Sequence, residues 1–253
     1  MASVPNYSGR RPLGTEVPVR TQITDPGLGS TPGEQETVTS TARDDCIMRL
    51  GIFGGTFDPI HYGHLLLAEC CLETHALDQV WFMLAATPPH KQEQPISPGN
   101  VRLEMLNLAL AGHPTFQAST LELDRGGLSY TVDTLSQILE DDPKRQLFLL
   151  LGSDSWQDLP NWHQPQKVCE LATPIVVNRG GEPAPDFSLA DHFLSPKLLE
   201  QIRQLHVQMP AMDLTSSGLR ARIQAGQSLR YRTPAAVQQY IQQHQLYQLP
   251  ESE

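Results

Sequence analysis

Cations, cysteines and long apolar runs are all scarce in this chain of 253 residues, and each shortage closes a class of function. Lys and Arg number 18 against 28 Asp and Glu, giving a formal net charge of −10. Such a field argues against extended binding to nucleic acid or to an anionic membrane, although a small nucleotide needs only local cations. The four cysteines, Cys46, Cys70, Cys71 and Cys169, lack Cys-x-x-Cys spacing. They therefore read as small core residues and reduced thiols of a cytoplasmic protein rather than as a metal or disulfide framework. No apolar run reaches membrane-spanning length; the most apolar segment is Leu147 to Leu151.

Large apolar residues are also rare over residues 1–46, which are rich in Pro, Gly, Ser and Thr. A segment of that composition does not repay the entropy of ordering, so it reads as a disordered extension. It has no secretory apolar core, and its acidic residues fit a transit peptide poorly. Met48 directly precedes the first strand-like run, so a mis-assigned start is the alternative reading. Residues 47–248 then form one domain, with 249–253 a short tail.

What the chain does have is the stretch Gly51-Ile52-Phe53-Gly54-Gly55-Thr56-Phe57-Asp58-Pro59-Ile60-His61-Tyr62-Gly63-His64. It reads as a buried strand, a glycine turn at Gly54 and Gly55 with access to positive φ, and a helix begun by an Asp58-Pro59 cap pair. Peptide N–H groups exposed from Gly54 to Phe57 and a helix N-terminus both favour an anion. His61 and His64, three residues apart, fall on one helix face, where they can grip one phosphate. Two other readings stay open: one histidine caps the turn, or the pair binds zinc, though no Glu follows the first histidine and no third ligand is near.

A second anion-binding segment is Leu214-Thr215-Ser216-Ser217-Gly218-Leu219-Arg220. Hydroxyls at a helix start followed by an arginine suit a triphosphate, with Ser216, Ser217 and Arg220 as its donors. Gly218 stands in the helix at a cost of about 1 kcal/mol relative to Ala. Strand-like runs (Arg49 to Phe53, Gln79 to Leu84, Phe116 to Leu121, Gln146 to Leu151, Pro174 to Asn178, Val207 to Met209) alternate with helical ones (Gly63 to His75, Val101 to Ala111, Thr131 to Glu140, Ser217 to Ala225, Pro234 to His244). This α/β alternation predicts a Rossmann-like doubly wound parallel sheet with helices on both faces. Gly152-Ser153-Asp154-Ser155 then opens at the carboxyl edge of the sheet, where such folds bind ligands.

The block Gly54 to His64 resembles the nucleotidyltransferase superfamily with its His-x-Gly-His motif, and Gly-Gly-Thr-Phe-Asp-Pro resembles the bacterial nicotinate-nucleotide adenylyltransferases. The resemblance runs from Met48 to Tyr247. It implies transfer of the adenylyl group of ATP to nicotinate mononucleotide, giving deamido-NAD and pyrophosphate in NAD biosynthesis. It further implies that Thr87 and Lys91, flanking Pro88-Pro89-His90, help form the acceptor pocket; that Tyr130, with Thr131, lies beside the nicotinate ring; that Trp162 stacks on it; and that Gly152 and Asp154 meet the nucleotide. Capping explains Ser129, Thr131 and Asp154 as well. The family pattern at the last motif is Ile-Ser-Ser-Thr-x-Ile-Arg, so Thr215-Ser216-Ser217 keeps the hydroxyls in altered order.

Mechanistically, a 5′-phosphate with a second pKa of about 6 is already nucleophilic at neutral pH, so no general base is required. His61, His64 and Arg220 are the expected catalytic groups, acting on the α-phosphate and leaving pyrophosphate, with Mg²⁺ arriving on ATP. Competing readings are a sister enzyme using nicotinamide mononucleotide or phosphopantetheine, and a non-catalytic nucleotide sensor.

Overall fold

The structure is a computed structural model that describes residues 47–87 and 96–248. Lys91, Cys46, the 1–46 segment and the 249–253 tail lie outside the described residues. Six strands, β1 (Arg49–Gly55), β2 (Gln79–Leu84), β3 (Phe116–Ser119), β4 (Gln146–Gly152), β5 (Thr173–Arg179) and β6 (Val207–Met209), form one sheet in the order β3-β2-β1-β4-β5-β6. Each pairing is parallel. The order reverses between β1 and β4, which places the switch point of the doubly wound sheet beside the glycine-rich strand end.

Side-chain alternation sorts the sheet into two cores. Leu50 and Ile52 of β1 and Leu147, Leu149 and Leu151 of β4 pack on one face with Val132, Leu135 and Ile138 of α4 (Thr131–Asp141), Val168 of α6 (Pro165–Leu171) and Ile202 of α7 (Pro196–Gln204). Phe53, Phe148 and Leu150 face the other way. They meet Cys71 of α1 (Tyr62–Thr74), Met105 of α2 (Gly99–Leu110), Leu219 of α8 (Ser216–Gln224) and Ile241 of α9 (Ala235–Gln243). Two short helices complete the set, α3 (Leu121–Arg125) and α5 (Ser153–Asp158). The Rossmann-like expectation holds, while two details change. Leu121 starts α3 instead of ending β3. α3, α6 and α7 were not foreseen. Cys71 and Cys169 are buried free thiols, as a core role requires, whereas Cys70 is half-buried.

Candidate active site

The turn after β1 is built differently from its sequence expectation. Gly54 and Gly55 remain extended strand, and the positive φ falls on Phe57, at 46°. Gly55 serves space instead of torsion. A Cβ on Gly54 would meet nothing within 4 Å, whereas one on Gly55 would sit 2.8 Å from the Phe57 ring. Phe57 is buried and packs edge-on to His64, with ring centroids 5.2 Å apart. It lines neither cavity described below, so its contribution is to prop the histidine.

Asp58 does not cap α1; the N-cap is His61. Asp58 is buried, accepting from the Ser97 backbone N–H at 3.1 Å and from the Tyr247 hydroxyl. Burial and this hydrogen bond push the Tyr247 phenol up, so it stays a donor. The loop carbonyls are held one after another. Arg102 donates to Thr56 O, Arg220 to Asp58 O at 2.7 Å, Ser216 Oγ to Pro59 O at 2.9 Å and Thr233 Oγ1 to Ile60 O at 2.8 Å. Buried carbonyls need such partners, and here they fix the loop that aims the histidines.

The His61 and His64 rings stack at 3.7 Å with 17° between planes. His64 Nδ1 accepts the His61 backbone N–H at 3.3 Å, so the His64 proton resides on Nε2. His61 is 4% exposed, and its Nδ1 is buried without a hydrogen-bond partner among the described residues. Burial, and secondarily the charge of Arg179, lowers its pKa to about 4, so it is neutral at pH 7. The intervening glycine has a steric reason: a Cβ on Gly63 would lie 3.0 Å from His61 Nδ1.

Two cavities of about 560 Å³ each meet at Gly55, Thr56 and Ser155. The first is largely apolar and takes in Gly54, Tyr130, Thr131 and Trp162. Trp162 Nε1 donates to Asp158 at 3.2 Å, fixing the half-buried indole. Tyr130 is the uncapped N-cap of α4, and Ser129 Oγ accepts from Ala86 N, so neither Ser129 nor Thr131 caps that helix. Trp156, buried and donating to Asp186 O at 2.9 Å, is the tryptophan that anchors the region to the core. Thr87 lines neither cavity; its backbone bridges Leu128.

The second cavity gathers His61, His64, Gly152, Asp154, Ser216, Ser217 and Arg220 from α1, α5, α8 and the strand ends. Thr215 caps α8, accepting the Gly218 N–H at 3.0 Å, and a Cβ on Gly218 would crowd that oxygen at 2.9 Å. The helix glycine thus makes room for the cap. Because the Ser216 hydroxyl proton is engaged with Pro59 O, Ser216 is left with its backbone N–H for an anion. Sequence reading missed Arg179, which ends β5 in this cavity beside Glu182 at 3.8 Å, and Arg102, which is 2% exposed. It also missed Glu122 and Thr134 in the first cavity. Their local sequences carry no motif; the strand-end position of Arg179 was the one available signal.

A largely apolar cavity and one lined by two histidines and two arginines thus meet over one strand end at the switch point, where open α/β sheets bind ligands. Residues 52–222 match the model of the family described as cytidylyltransferase-like. The chain is 40% identical over 199 residues to a probable nicotinate-nucleotide adenylyltransferase of Geobacillus thermodenitrificans, covering 79% of this chain and 86% of that protein. It is 41% identical over 200 residues to one of Thermus thermophilus, covering 79% and 100%. The fold is shared with the Plasmodium falciparum nicotinic acid mononucleotide adenylyltransferase complexed with NaAD, at TM-score 0.61 and 18% identity over 79% of this chain and 97% of that one. The chain belongs to the cytidylyltransferase-like family, and within it to the nicotinate-nucleotide adenylyltransferases.

Proposed function

We propose that the chain joins nicotinate mononucleotide to the α-phosphate of ATP, giving deamido-NAD and pyrophosphate as a step of NAD synthesis. The observation that carries this reading is the pair of cavities sharing Gly55 and Thr56. The Tyr130 and Trp162 side suits a pyridine ring, and the side with two histidines and two arginines suits a triphosphate.

In this reading the acceptor phosphate attacks as the anion it already is at neutral pH, so the protein's task is alignment and charge stabilisation. His64 donates from Nε2 to a non-bridging oxygen of the α-phosphate, its Nδ1 held by the His61 N–H. Neutral His61 accompanies it. Gly55 and Thr56 border the same place, and the backbone N–H groups at the α8 start, with Arg179 and Arg220, take the departing pyrophosphate. Arg220 bonds Asp58 O through one nitrogen, which leaves the rest of its fork for the anion.

Among the described residues no group of three His, Cys, Asp or Glu side chains can hold a metal ion. A Mg²⁺ bound mainly by triphosphate oxygens fits this lining, whose exposed carboxylates are Asp154 and Glu182. The ion would neutralise part of the triphosphate charge. No helix among the described residues is long and apolar enough to cross a membrane. A cytoplasmic enzyme acting on free nucleotides, with neither nucleic acid nor membrane as partner, is the reading consistent with the acidic charge and free thiols.

The test is pyrophosphate release with ATP and Mg²⁺, comparing nicotinate mononucleotide, nicotinamide mononucleotide and phosphopantetheine. Preference for the acid form, lost in His64→Ala, supports the proposal. Preference for another acceptor changes the substrate, and ATP binding without turnover on any acceptor overturns the enzyme reading.

A further inference from the structure

The ring-binding cavity holds one buried charge. Among its described lining residues Glu122, on α3, is the sole Asp, Glu, Lys or Arg, and it is 7% exposed. The same cavity is lined by Ile52, Met83 and Leu151 and by the aromatic rings of Tyr130 and Trp162. A carboxylate on an apolar floor is costly unless it is hydrogen-bonded and meets a complementary charge.

Its local support is specific. The Thr134 hydroxyl, 1% exposed on α4, donates to Glu122 Oε1 at 2.7 Å and in turn accepts from Arg125 Nη2 at 2.9 Å. Thr134 has one proton, so its direction is set: guanidinium to hydroxyl to carboxylate. Arg125 itself is exposed and shared with Gln137, so its charge is screened by water and reaches Glu122 through the hydroxyl. The carboxylate is therefore held in place, and no cation among the described lining residues of the cavity pairs with it.

An aromatic slot containing one buried carboxylate is complementary to a flat cation. N-ribosylated pyridines carry a permanent positive charge on the ring, delocalised over a planar face. We propose that Glu122 is a specificity-determining residue that recognises the pyridinium charge of the acceptor, with Thr134 and Arg125 as its positioning residues. The inference rests on the acceptor assignment above. It concerns the ring cation, which the acid and amide forms share, and so is separate from recognition of the 3-substituent.

The measurement compares the oxidised and 1,4-dihydro forms of nicotinamide mononucleotide as competitive inhibitors against nicotinate mononucleotide, in the wild type and in Glu122→Gln. The two forms differ in ring charge. Glutamine keeps an acceptor for Thr134. The wild-type protein should bind the cationic form about tenfold better than the dihydro form, in line with a charge-assisted contact. Glu122→Gln should bring that ratio near unity while leaving the KM for ATP unchanged. An unaltered ratio in the variant, or equal binding of both forms by the wild type, overturns the proposal; the wild-type comparison stands even if the variant does not fold. Absence of wild-type turnover with nicotinate mononucleotide would instead defeat the acceptor assignment, and is read from the same assay before any variant is made.

Discussion

The two cavities on either side of the β1 end are about equal in volume and opposite in chemistry. The first is shaped by rigid burial: Trp162 tied to Asp158, Tyr130 at a helix mouth, and one carboxylate held by Thr134. The second, proposed for the polyphosphate, is shaped by donors, with stacked histidines, two guanidiniums and the starts of α1, α5 and α8. A base is bound by contact area and a polyphosphate by N–H groups and charge, so one short strand end has to separate two solvents. Gly55 and Thr56, common to both, mark where they meet.

That division is tested most strongly at the donor proposed to act in the transition state. His64→Ala should lower kcat by roughly 10²- to 10³-fold while changing both KM values little, measured by steady-state pyrophosphate release. A variant with near-normal kcat would remove the histidine from the mechanism.

Next is the pH response of the same pair. The folded-state pKa of His61, about 4, lies below its ordinary value of about 6.5, so the unfolded chain binds the extra proton between those two pH values. Stability should therefore rise with pH from about 4 to 6.5, by up to about 3 kcal/mol, and be fully present above that window. Urea midpoints across this range should show the slope, and His61→Asn should flatten it.

A smaller effect is predicted on the ring side. Trp162→Ala should raise the KM for the acceptor about tenfold and leave that for ATP near its original value, since stacking on an aromatic contributes roughly 1–3 kcal/mol. Equal changes in both would mean that the cavities do not act separately. Smallest is the α8 cap: Thr215→Ala removes the acceptor for Gly218 N–H and should cost about 1 kcal/mol, read as a lowered Tm.

The comparison also explains what was legible. β2 and β6 have the bounds their sequences predict, because β2 is a continuous apolar run from Val80 to Leu84 and β6 stands between His206 and Pro210. α4 and α9 were equally readable from amphipathic spacing. By contrast α7 was missed although its signals were present: a Ser195 cap, Pro196 in the first turn and the stripe Leu198, Leu199 and Ile202 between polar residues. α3 has five residues, shorter than the period that reveals a helix. At the site, His61, His64, Arg220, Tyr130 and Trp162 were found because motif and position agree. Arg102, Arg179 and Glu122 were not, since no local motif marks them and only packing brings Arg102 to the Thr56 carbonyl and the other two to their cavities.

From the sequence alone came the α/β alternation, the histidine pair, the hydroxyl-arginine helix start and the absence of a cysteine framework, all of which are local patterns with local causes. Tertiary structure alone decided that the turn strain falls on Phe57, that Asp58 accepts from Tyr247 instead of capping α1, and that Ser216, Arg220 and Thr233 hold the carbonyls of the histidine loop. The reason is physical. A side chain's type limits which bonds it can make, but where a buried carbonyl finds its donor depends on which distant segment packing brings within 3 Å.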